Sequence, residues 1–97
     1  MSDTHYVKSW THLFQVAKAG KKTHDIRDMT ERDYKVGDIL VLEEFDYTTG
    51  QYTGDSVDME ITYITDRLTP CAFSSAVLKP GYGVLSIKKL NEETNED

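Results

Sequence analysis

The chain has 97 residues, 38% of them hydrophobic and 29% charged, with a formal net charge of −6. That is one domain's worth of ordinary globular chain, and its acidic total excludes a polycation that coats nucleic acid through bulk charge. A lone cysteine, Cys71, excludes an internal disulfide and a multi-cysteine zinc site, and no apolar run reaches the length of a membrane-spanning helix.

His5–Ser9 reads as a first strand. Trp10, Leu13, Phe14 and Ala17 then recur at the spacing of one helical face, in a helix running to about Ala19. That stripe places Trp10 in the core and His12 on the wet side. Ser9 or Thr11 can cap the helix start, and Gly20 stands where a left-handed residue closes a helix. Lys22–Arg27 reads as a second strand. Alternation sends His24 and Ile26 to one face and Thr23, Asp25 and Arg27 to the other. Ile26 is expected in the core, with His24 partly buried and hydrogen-bonded beside it. Thr23, Asp25 and Arg27 then look outward or into a cleft. Asp28–Lys35 is polar and without period, a loop with at most one helical turn.

Val36-Gly37-Asp38 is a turn, and Ile39–Leu42 opens a central strand that extends to about Phe45. Thr48-Thr49-Gly50 and Thr53-Gly54 signal a hairpin. Val57, Met59, Ile61 and Tyr63 alternate with Asp58, Glu60 and Thr62, a half-buried strand with one wet face. Asp66–Pro80 is a long connection in which Ala72–Leu78 can be helical. Tyr82–Leu90 is a last strand, with Leu85 and Ile87 on one face and Tyr82 and Val84 on the other. Residues 1–90 thus form a single domain, and 91–97 an acidic, disordered tail. Five strands with one or two flanking helices give an α+β fold, a small mixed sheet curled into a partial barrel. The first residues lack the basic-then-apolar pattern of a signal peptide, so a cytoplasmic protein is expected.

Charge is distributed unevenly. Residues 36–66 contain no Lys or Arg but hold Asp38, Glu43, Glu44, Asp46, Asp55, Asp58, Glu60 and Asp66. This segment is expected to be a solvated face that repels nucleic acid from that side, or else meets a basic protein partner through Glu43, Glu44 and Asp58. The local basic cluster is Lys18, Lys21 and Lys22, with Arg27 shortly after. It is either an ordinary lysine-rich helix end or an anion-binding surface. His5, His12 and His24 are too scattered for a metal site, so neither metal nor cofactor is expected. Cys71 has no base beside it and reads as a buried or inert thiol.

The octet Gly20-Lys21-Lys22-Thr23-His24-Asp25-Ile26-Arg27 joins a helix end, a glycine turn and a strand start. Its backbone N–H groups, lysines and arginine can converge on an anion or a polar planar ligand. The octet resembles the G-x-K-x-x-E-x-R signature of ASCH domains, a branch of the PUA-like superfamily, with Asp25 in place of Glu. The resemblance continues through Asp33–Leu40, Tyr52-Thr53-Gly54, Ile61–Ile64 and Pro80–Ile87. Together these segments look like a small branch of unknown function found in bacteria and phages.

The resemblance implies a PUA-like barrel whose cleft, lined by the octet, binds RNA or a modified nucleotide. In such a site Lys21 and Lys22 meet phosphate, and Arg27 meets phosphate or a base edge. Asp25 reads an amine or orients Arg27, while Thr23 and Tyr82 line the pocket. The acidic total favours a short or single-nucleotide ligand over a long duplex; a monomer is expected. A subgroup of ASCH proteins looks like amidohydrolases acting on acetylated cytidine, with a lysine at the position of Lys22, a threonine at that of Asp25 and a distant glutamate. The alternative is therefore an enzyme using Lys22 and Asp25, although Arg67–Lys89 contains no carboxylate to complete it.

Overall fold

The computed structural model describes residues 2–90; the expected acidic tail at 91–97 lies outside the described residues. The chain runs β1 (Thr4–Trp10), α1 (Thr11–Lys18), β2 (His24–Asp28), β3 (Ile39–Asp46), β4 (Gln51–Thr65), α2 (Ser74–Val77) and β5 (Tyr82–Lys89). The strands form one mixed sheet in the order β1-β3-β4-β5-β2. Only the β1–β3 pair is parallel. The sheet curls into a half-barrel, a small α+β barrel-like fold whose edge strands are β1 and β2. No helix among the described residues is long and apolar enough to cross a membrane.

Alternation along the strands builds the concave core. Val7, Leu40, Leu42, Val57, Met59, Ile61, Leu85 and Ile87 all turn inward. The eight-residue α1 is too short to persist alone, and it is held by Phe14 and Ala17, both buried in that core. Its end is built as the sequence requires. Gly20 has φ +81°, its N–H donates to the Ala17 carbonyl and that of Lys21 to the Val16 carbonyl, each at 3.0 Å. This is a Schellman closure, which turns the chain sharply toward β2.

Asp38 anchors the start of β3. It is 2% exposed and accepts the Asp3 N–H at 3.0 Å, the Lys35 N–H at 3.1 Å and a contact from His5 Nε2 at 2.8 Å. Burial would raise its pKa, but the hydrogen bonds from Asp3, His5 and Lys35 outweigh it and hold the carboxyl below its ordinary value. Tyr34 packs tilted against His5, with ring centroids 4.8 Å apart. Burial pushes its phenol pKa up, while the charges of Arg27 and Arg32 pull against that shift.

Several expectations are corrected. Trp10 is not in the core: it is 49% exposed, because it is the extended residue before the helix (φ −62°, ψ 144°) and does not share the helical phase. Neither Ser9 nor Thr11 caps the start with a side chain; the Thr11 hydroxyl instead donates to the Phe45 carbonyl at 3.4 Å. Ile26 is 54% exposed, and His24 is exposed too. Asp25 and Arg27 pair with Leu85 and Gly83 across the ladder, so they occupy the concave face, which at the edge strand opens into a cleft.

Tyr63 is exposed because a register shift between Ile61 and Tyr63 reverses the alternation. Within the acidic segment Glu44 is buried and accepts the Thr53 hydroxyl at 2.7 Å. Glu44 follows Leu40 and Leu42 in strand parity, so the face that Glu43 and Asp58 present to solvent does not include it. Cys71 is exposed rather than buried, and the Phe73 N–H together with the Ser74 hydroxyl lowers its thiol pKa. The hairpin turn is confined to residues 47–50, and β4 already begins at Gln51.

Candidate functional site at the barrel seam

The two edge strands approach each other above α1. Between them lies a cleft of about 350 Å³ lined by Lys22, Asp25 and Arg27, with Trp10, Leu13 and Ile26 supplying apolar surface. The loop after Gly20 brings Lys22 to its rim, and β2 presents Asp25 and Arg27 two residues apart on one face.

The charged side chains form a chain of contacts. Arg27 Nε donates to Asp25 Oδ2 at 2.8 Å, and Lys22 Nζ stands 3.6 Å from Asp25 Oδ1. Lys22 Nζ also donates to the His24 carbonyl. Exposures of 19% for Lys22, 16% for Asp25 and 23% for Arg27 place the group in a partly desolvated setting, where charge pairs interact more strongly than on an open surface. Lys8 also lines the cleft, but its ammonium lies over the Phe45 ring, 4.1 Å from the centroid, so within the cluster two cations face one carboxylate and leave one net positive charge.

Arg27 has a second anchor, since its Nη2 donates to the Lys8 carbonyl at 2.9 Å. A guanidinium carries five N–H donors. Among the described residues Nη1 meets no acceptor, so its N–H donors stay available. Asp25 accepts from Arg27 through Oδ2 and faces Lys22 through Oδ1. Trp10 is braced by Tyr47, with ring centroids 5.4 Å apart.

The sequence-derived residues are thus brought together in part. Lys22, Asp25 and Arg27 share the cleft. Lys21 is exposed at the helix end, outside its lining. Thr23 is also exposed, and its carbonyl accepts the Ile87 N–H at 3.0 Å. Tyr82 lies opposite Asp28 in the ladder but lines a separate depression of about 320 Å³, with Arg67, Pro70, Cys71 and Leu78. Trp10, which the helical stripe assigned to the core although its ring could stack a base, lines the cleft instead. The available signal was its position beside Ser9 and Thr11, which marks it as a helix-boundary residue.

Residues 4–87 match the family model described as a domain of unknown function, DUF3850. The chain belongs to that family. Among curated proteins none matches it. The DUF3850 match runs from the first residue of β1 to within two residues of the end of β5, so it takes in both edge strands and the seam between them. Among the described residues of this DUF3850 chain no three His, Cys, Asp or Glu side chains are grouped to hold a metal ion.

Proposed function

We propose that this protein is an RNA- or modified-nucleotide-binding module that uses the seam cleft, in the manner of the ASCH and PUA-like domains its octet resembles. The observation that carries the reading is the half-buried Lys22–Asp25–Arg27 cluster, open to solvent between the two edge strands and flanked by a half-exposed tryptophan. A fixed arginine fork, a lysine and an aromatic surface are the elements by which proteins hold single-stranded nucleotides. The single net positive charge supports a ligand of one or a few nucleotides rather than a duplex. Lys21, exposed beside the cleft, is available to a flanking phosphate. The acidic outer face around Glu43 and Asp58 disfavours approach from the opposite side.

The test is an amide NMR titration at low salt with mononucleotides, acetylated cytidine and a short single-stranded RNA. Shifts confined to Lys8–Leu13 and Gly20–Arg27, abolished in Arg27→Ala, are the expected result. No shift with any of these at millimolar concentration overturns the reading. Conversion of acetylated cytidine during the titration would replace it with the hydrolase alternative using Lys22 and Asp25.

A further inference from the structure

The composition of the cleft bears on which part of a nucleotide enters it. A phosphate carries up to two negative charges and is best met by several unpaired cations. Here Lys22 and Arg27 are both drawn toward Asp25, and Lys22 also donates to the His24 carbonyl. Much of the remaining lining is apolar, from Trp10, Leu13, Ala17, Ile26 and Leu42. A site with one net positive charge, an apolar wall and a planar donor fork matches the base of a nucleotide better than its phosphate.

The donor pattern narrows the base further. Arg27 is held at Nε by Asp25 and at Nη2 by the Lys8 carbonyl, which leaves the Nη1 hydrogens unpartnered among the described residues and, beside them, the second Nη2 hydrogen when Lys8 takes the one on the Nε side. Two neighbouring donors require two neighbouring acceptors. Guanine offers them at N7 and O6, and cytosine offers them at N3 and O2. On the Watson–Crick and Hoogsteen edges of adenine, and on the Watson–Crick edge of uracil, a donor stands beside each acceptor, which leaves one arginine N–H facing another donor. The indole of Trp10, fixed by Tyr47, supplies the surface on which such a base stacks.

We infer that the seam cleft takes a nucleobase rather than a phosphate, and selects guanine or cytosine over adenine or uracil through Arg27 while the base stacks on Trp10. This inference rests on the nucleotide-binding reading above, and the experiment separates the two. Trp10 is the only tryptophan of the chain, so its emission reports the proposed contact directly. Emission would be titrated with guanosine, cytidine, adenosine and uridine, then with the corresponding monophosphates, and with inorganic phosphate as competitor.

The expected result is quenching by guanosine and cytidine about tenfold tighter than by adenosine and uridine, with inorganic phosphate unable to displace them. Arg27→Lys keeps the charge and loses that preference. Trp10→Phe, which breaks no hydrogen bond of the seam, weakens binding about fivefold by NMR while leaving the preference in place. Equal binding of all four nucleosides, or displacement by phosphate, overturns the base-selection inference and leaves nucleotide binding standing. Absence of binding by every nucleoside and nucleotide, read by both emission and amide shifts, overturns both.

Discussion

Arg27 Nη2 donates to the carbonyl oxygen of Lys8 at 2.9 Å, and these two residues lie on the strands that begin and end the sheet order. A closed barrel would join those strands by a backbone ladder. Here one guanidinium spans the gap, and the space around it is the candidate site. Closure of the fold and construction of the cleft therefore depend on the same side chain. That coupling explains why Asp25 sits on the concave face although it is charged: it fixes the guanidinium that bridges the seam.

Arg27→Ala is accordingly expected to lower stability by about 2 kcal/mol, the range for a lost hydrogen bond to a charged group. Urea unfolding followed by circular dichroism measures it. Arg27→Lys should recover only part of the loss, because an ammonium cannot reproduce the planar fork that reaches both Asp25 and Lys8. Faster amide exchange confined to β1 and β2 in either variant would place the loss at the seam. An unchanged unfolding midpoint would mean that the bridge does not hold the edges.

Much of the fold was legible in the sequence because hydrophobic spacing reported it. Phe14 and Ala17 marked the helix, Ile39–Leu42 the central strand, and Leu85 and Ile87 the inward face of β5. Two of the readings that failed share one cause, a local break in periodicity: Trp10 lies one residue outside the helix and Tyr63 follows a register shift. Ile26 failed differently, since alternation holds along β2 but its inward face carries Asp25 and Arg27. The site was legible as the octet's charged residues, since Lys22, Asp25 and Arg27 do meet. Its aromatic wall was not, because the helical stripe accounted for Trp10 in another way. Tyr82 fell elsewhere because opposition in a ladder places it beside Asp28, not beside the cleft.

Asp38 should govern the acid limb of stability. Its carboxyl is held below the ordinary value in the folded state, with burial opposing and the hydrogen bonds from Asp3, His5 and Lys35 prevailing. A depressed folded pKa stabilises the protein above the unfolded value of about 4 and is lost as pH falls through the folded one. Asp38→Asn should therefore cost stability at pH 7 and flatten the pH dependence below about pH 4. Thermal unfolding of both proteins from pH 7 to pH 2 tests this. Parallel curves would remove Asp38 from the acid transition and leave it to Asp28, Asp46 and Asp55. Those carboxyls are lowered mainly by the hydroxyls of Thr30 and Thr48 and by the ammonium of Lys18, respectively.

Gly83 is needed for space rather than for backbone freedom. A Cβ there would stand 2.9 Å from Met29 Cγ, 3.0 Å from Met29 Sδ and 3.1 Å from Asp66 Cβ, at the position paired with Arg27. Overpacking of this kind costs about 1–3 kcal/mol, so Gly83→Ala should unfold at lower urea. Adding Met29→Ala removes two of the three contacts and should return part of the loss. A double variant that is merely the sum of its single changes would show that Met29 is not the obstacle.

The salt dependence of RNA binding follows from how few cations face the ligand. With Arg27 engaged on a base and Lys22 drawn toward Asp25, Lys21 and at most one further cation remain for phosphates. For a single strand the slope of log affinity against log salt is about −0.7 per phosphate neutralised, so it should be no steeper than about −2. Lys21→Ala should make it shallower by about 0.7 without altering which bases are preferred, because Lys21 lies outside the cleft lining. Fluorescence titrations of a short RNA between low and physiological salt measure both quantities. A slope several times steeper would mean that the ligand tracks a longer cationic surface, through Lys18 and the helix end, and that the seam is not its principal contact.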